Sequence, residues 1–166
     1  MSPKPTGHLQ RTASGADLII KRQFRAPIDD VWQGVTDPES TARWIGRWSG
    51  EPGPGNTVRL QMGFEKDSPI SNVTIEACEP PARLAVCAKD EQGEWHLELA
   101  LTHSAGTTEL TFVQHLTDPA LAGDVGPGWE YYLDMLVAAR TDQPKPEFSE
   151  YYPSQRDYYL GQASSA

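Results

Sequence analysis

The sequence predicts an α+β domain in which a six-stranded antiparallel sheet wraps round one long C-terminal helix, with two short helices after the first strand. Three observations carry this reading. Past Gly126-Pro127-Gly128, the residues Trp129, Tyr132, Leu133, Leu136 and Val137 recur at helical spacing, leaving Glu130, Tyr131, Asp134 and Ala138 on the other side. Alternating apolar and polar residues mark strands before and between the turn signals. Two stretches pair apolar with apolar when folded back as hairpins. A stripe carrying a Trp and a Tyr is broad and needs a curved apolar sheet to bury it.

Within residues 17–25, Leu18, Ile20 and Phe24 share one face at period two and form the first strand. Pro27 suits the first turn of a helix, Asp29 and Asp30 favour its positive end, and Ile28, Val31, Trp32 and Val35 make its buried side. Asp37-Pro38-Glu39 starts a second short helix that runs to about Trp44. Residues 45–56, IGRWSGEPGPGN, read as a loop with a tight turn near Pro54-Gly55. Trp44 and Trp48 beside that loop fit either a lid over a cavity or a plug at the end of the core.

The sheet resumes at Thr57, with Val58, Leu60, Met62 and Phe64 inward and Arg59, Gln61 and Glu65 outward. Residues 71–78 and 83–88 form a hairpin, and setting Cys78 opposite Arg83 pairs Ala77 with Leu84, Ile75 with Val86 and Val73 with Ala88. Cys87 then faces Thr74, which separates the two cysteines by about 13 Å and excludes a bridge. Residues 94–103 and 108–116 form a second hairpin. Its pairs are Leu101 with Leu110, Leu99 with Phe112, Leu97 with Gln114 and Trp95 with Leu116, so Gln114 is the one polar group on the inner face. Residues 1–16 are expected to be a disordered tail, residues 17–140 the domain, and residues 141–166 a Tyr-rich tail that packs partly on it, since disordered segments are poor in aromatics.

The net charge is −9, from 23 acidic and 14 basic side chains, and such a field repels phosphate backbones and anionic lipid surfaces. The first 25 residues hold five Lys or Arg and one Asp, so the remainder carries −13. Two cysteines without metal spacing, and no apolar run of membrane length, point to a soluble protein of a reducing cytoplasm with neither nucleic acid nor membrane as partner. The motifs GxGxxG, GxSxG and HExxH are absent, and His96 and His115 face each other on the outer surface of the second hairpin as a solvated pair. No cofactor, metal site or catalytic residue is expected from these patterns.

The strings RAPxDxVWxxxTDPE (residues 25–39), followed by Trp44, and GWExYLD (residues 128–134), followed by Leu136, resemble the START-like (SRPBCC, helix-grip) superfamily. The likeness is to its activator-of-heat-shock-ATPase-homologue (AHSA-type) branch, over about residues 17–140, and the Tyr-Tyr-Pro tail is similar to tails of bacterial members. The resemblance implies an apolar cavity between sheet, helix and the Trp44–Asn56 loop. It further implies binding of a small hydrophobic or amphipathic molecule by a monomer or homodimer. The expected lining is Trp44, Trp48, Met62, Phe64, Ile75, Val86, Trp95, Leu97, Leu99, Phe112, Gln114, Trp129, Tyr132, Leu133 and Leu136, with Gln114 and Tyr132 as polar anchors. Two rival expectations stand beside it: a polyketide cyclase or aromatase-like enzyme, in which Tyr132 or a histidine moves a proton, and a protein-interaction module of co-chaperone or regulator-partner type. The interaction reading uses the acidic surface and the Tyr-rich tail, and an exposed aromatic patch at Tyr151, Tyr152, Tyr158 and Tyr159 would favour it.

Overall fold

A computed structural model describes residues 3–90 and 93–165. Its elements run β1 (His8–Thr12), β2 (Gly15–Phe24), α1 (Ile28–Thr36), α2 (Pro38–Thr41), β3 (Gly46–Ser49), β4 (Thr57–Met62), β5 (Ile70–Glu79) and β6 (Arg83–Asp90). Then follow β7 (Gly93–Ser104), β8 (Thr107–Leu116), α3 (Ala122–Thr141) and α4 (Arg156–Ser165). The strands form one antiparallel sheet in the order β1-β2-β8-β7-β6-β5-β4-β3. Among the described residues no helix is long and apolar enough to cross a membrane.

Among the described residues the sheet therefore has eight strands, where six were expected. Both additions are edge strands too short for alternation to reveal. β3 lies inside the segment read as a loop and is held by pairing with β4, Trp48 opposite Leu60. β1 lies in the segment read as a disordered tail, where it folds back on β2 with Leu9 opposite Leu18; Met1 and Ser2 lie outside the described residues. An edge strand draws its order from its neighbour's hydrogen bonds, which its own sequence does not display.

The second hairpin, β7–β8, has the expected register from His96–His115 to His103–Thr108. The first, β5–β6, keeps Ile75–Val86 and Val73–Ala88, but a bulge between Ile75 and Ala77 shifts the rest, so Cys78 opposes Leu84 and Ala77 opposes Ala85. One extra residue reverses the facing of everything beyond it. Cys78 thus turns inward, Ala77 outward, and both cysteines are free thiols.

The core forms where Leu18, Ile20, Leu110 and Phe112 of the sheet meet Leu133 and Leu136 of α3 and Val31 and Val35 of α1. α3 starts at Ala122, ahead of the expected Gly126-Pro127-Gly128 signal, and carries Pro127 inside it. It is also buried on more than one side: Glu130 is 1% exposed and Met135 2%. The cover comes from both tails. α4 places Tyr159 and Leu160 against Gly126 and Gly123, positions where an added Cβ would meet those side chains. Thr6 and Gly7 close over Glu130 from the other end of the chain. The aromatic tail is therefore a layer of the fold, with Tyr151 2% exposed and Tyr159 fully buried. With Tyr152 and Tyr158 half-buried, the exposed tyrosine patch that would have favoured the interaction reading is not present among the described residues.

Candidate functional site

Between the inner face of the sheet, the first half of α3 and the α1–α2–β3 segment lies a cavity of about 420 Å³. Its walls include Trp44, Trp48, Met62, Ile75, Val86, Trp95, Leu97, Leu99, Phe112, Trp129, Tyr132 and Leu133, all anticipated from the alternation and the helical stripe. The exposed residues Pro52 and Glu65 also line it, so it reaches solvent beside the β3–β4 turn and the segment after β4. A cavity of this size falls within the range of small-molecule sites.

Three of the indoles are turned so that their polar edge is used elsewhere. Trp44 Nε1 donates to the Gly34 carbonyl at 2.9 Å and Trp48 Nε1 to the Thr36 carbonyl at 2.8 Å. Trp129 Nε1 donates to Gln114 Oε1 at 2.8 Å. Each ring so fixed offers carbon surface to the chamber. Phe112, Trp129 and Tyr132 form a continuous aromatic wall, with ring centroids 4.5 Å and 5.8 Å apart along it.

Three anticipated residues are not part of the lining. Gln114, 2% exposed, sits behind Trp129 and positions it; a buried amide needs a partner, and the nearest indole N–H supplies one. Leu136 lies a turn too far along α3 and packs in the core. Phe64 falls beyond the end of β4, where the alternation no longer applies, and its ring stacks under Lys145 Nζ at 5.2 Å.

Other lining residues escaped sequence reasoning. Cys78 enters through the bulge. Glu65, expected outward by alternation, sits on the turn after β4 and accepts a hydrogen bond from Tyr132 Oη at 2.6 Å. Burial first, then the Glu65 carboxylate, push the Tyr132 phenol far up, which fixes it as a protonated donor. Its spacing on the helix marked Tyr132; nothing local marked its partner, 67 positions away.

The histidines lie elsewhere, all exposed. His96 and His115 do oppose each other on the outer face. His115 is engaged by acids: Nδ1 pairs with Asp17 at 2.7 Å and Nε2 with Glu98 at 2.8 Å. Burial lowers its pKa, but these two carboxylates outweigh that and raise it. Cys87, Glu94 and His96 bring one donor atom each within 4.8 Å of one another. Burial pushes the Cys87 thiol up, which opposes the thiolate that a metal requires. Arg140 donates to the Asp30 carbonyl at 3.0 Å and ties α3 to α1.

A family model described as "Activator of Hsp90 ATPase homolog 1-like protein" matches residues 25–140. None of the curated proteins matches the chain in sequence. Among solved structures, CalU16 from Micromonospora echinospora is 25% identical, with a TM-score of 0.77 over 97% of this chain and 98% of that one. DynU16, from the dynemicin biosynthetic locus, is 24% identical with a TM-score of 0.69; the match covers 80% of this chain and 50% of DynU16. The protein encoded by gene BPP1335 of Bordetella parapertussis is 22% identical, with a TM-score of 0.70 over 99% and 94% of the two chains. The last two likenesses are of fold alone.

Proposed function

The chain belongs to the Activator of Hsp90 ATPase homolog 1-like family, and on that premise we propose that it binds a small, largely apolar molecule in the chamber between sheet and α3. The observation that carries this is a chamber of about 420 Å³ in which three of the four lining tryptophans spend their N–H groups on protein acceptors. A solid core has no use for such an opening, and an isolated void costs stability. A molecule leaving about 300 Å² of apolar surface there gains roughly 7 kcal/mol from burial, which makes micromolar binding the limit of the apolar contribution. Thr41 and Ser71, both buried, and Tyr132 supply a few polar contacts to orient it.

Four tryptophans line the chamber, so occupancy is readable by fluorescence. Titration with the neutral probe N-phenyl-1-naphthylamine is expected to quench them saturably at one equivalent, and native mass spectrometry to show a small molecule retained at one per chain. A bare chain together with no saturable quenching would overturn the reading. A second reading, a cyclase-like enzyme, draws on the Glu65–Tyr132 pair, since a carboxylate beside an apolar chamber can take a proton from an enolisable substrate. If Glu65→Gln abolished turnover of a polyketide thioester while leaving its affinity within about twofold, that reading would prevail.

A further inference from the structure

We propose that the chamber selects molecules that join an apolar body to a cationic head group, an amine above all, and that Glu65 is the group that reads the head. The inference rests on the binding function proposed above and adds to it the chemical class of the occupant.

Glu65 is held in place by the turn that carries it. Its N–H donates to the Met62 carbonyl at 3.3 Å and its carbonyl accepts from Ser68 N at 3.0 Å. The side chain is then aimed at the chamber by Tyr132, whose hydroxyl occupies Oε2. A carboxylate offers about four acceptor positions across its two oxygens. Oε1 has no partner among the described residues, and the carboxylate forms no ion pair with any of them. Lys145, close to this turn, is engaged over the Phe64 ring instead.

The remaining lining points the same way. Among the described lining residues there is no Lys, Arg or His, so an anionic head would meet a like charge and no compensating cation. The hydroxyls of Thr36 and Thr41 donate to the Trp32 and Pro38 carbonyls. The Tyr132 ring, whose hydroxyl meets Glu65, has the Trp129 ring 5.8 Å from it in the same wall, and aromatic π faces attract cations. The net charge of −9 favours approach of a cation.

The test compares decylamine, 1-decanol and decanoate at pH 7, each below its micellar concentration, by displacement of N-phenyl-1-naphthylamine from the wild-type chain, Glu65→Gln and Tyr132→Phe. In the wild type, decylamine is expected to bind at least tenfold more tightly than decanoate, with decanol between them. Glu65→Gln should bring the amine-to-acid ratio below threefold while leaving decanol within about twofold. Tyr132→Phe, which keeps the carboxylate but removes the hydroxyl that aims it, should narrow the amine-to-acid ratio less than Glu65→Gln does, and Lys66→Gln, on the exposed part of the turn, should change nothing. Decanoate binding as well as decylamine to the wild type would overturn the proposal without reference to any variant. So would an unchanged ratio in Glu65→Gln. If decanol and the neutral probe bind and only the preference is missing, this inference alone falls. If none of them binds, the binding function falls with it.

Discussion

Replacing Glu130 by glutamine tests whether both tails are fastened through one buried carboxylate. Glu130 is 1% exposed and accepts from Thr6 N at 2.5 Å, Gly7 N at 3.1 Å and Tyr159 Oη at 2.5 Å through Oε2. Through Oε1 it accepts from Thr6 Oγ1 at 2.7 Å and Arg22 Nη2 at 2.8 Å. An amide puts a donor where one of these oxygens accepted, and either orientation sets N–H against N–H. It also leaves Arg22, 11% exposed, with Asp134 as its one remaining carboxylate among the described residues. Breaking a buried ion pair from one side costs about 3 to 5 kcal/mol. Because Asp134 still neutralises Arg22, we expect about 3 kcal/mol. With a urea m-value of about 2 kcal/mol/M this is a midpoint shift of roughly 1.5 M, or about 6 to 12 °C in Tm for a chain of this length.

The deficit should depend on pH. Burial pushes the Glu130 carboxyl up, but hydrogen bonds from Tyr159, Arg22 and Thr6 outweigh it and leave the pKa below the ordinary 4.5. A depressed folded pKa means that the unfolded chain binds the proton first as pH falls. The contribution is therefore complete above 4.5 and is lost as pH drops through the lower folded value. The gap between wild type and Glu130→Gln should be full at pH 7 and narrow in acid. Urea unfolding by tryptophan fluorescence measures the gap, and hydrogen exchange of residues 3–12 and 151–165 reports whether the tails loosen. A loss below about 1 kcal/mol at pH 7 with tail protection unchanged would refute the reasoning.

Gly126→Ala would place a Cβ 2.6 Å from the Tyr159 ring and should cost about 1 to 3 kcal/mol in urea unfolding. Gly161→Ala, on the open side of α4, should instead gain about 0.5 to 1 kcal/mol, so equal effects at the two sites would contradict the packing described. Gln114→Leu leaves the Trp129 N–H without its acceptor and should lower stability by about 1 to 3 kcal/mol even with the chamber empty; an unaltered Tm would speak against Gln114 as the residue that positions Trp129. For His115, NMR titration should find a pKa above the ordinary 6.5, and Asp17→Asn should lower it. Because that pKa is raised on folding, its stabilisation is present below 6.5 and lost as pH climbs through the folded value, and exposure of the ring to solvent keeps the effect small.

The sequence alone determined the order of the six longer strands and of α1 to α3, most of the strands' inner faces, the register of β7–β8 and the stripe of α3, because these depend on periods of two and 3.6 that are written into neighbouring residues. From the same patterns came most of the chamber wall, from Met62 on β4 to Leu133 on α3. Tertiary structure decided what hangs on chain segments meeting from afar. The bulge that brings in Cys78 leaves no local mark, since hairpin pairs look equally apolar in either register up to it. Glu65 and Tyr132 are 67 positions apart, and Thr6 and Glu130 124 apart, so a carboxylate at the chamber and another buried under both tails read in the sequence as ordinary surface acids. Burial of a charge is settled by whichever donors the folded chain gathers round it, and only the closed structure says which those are.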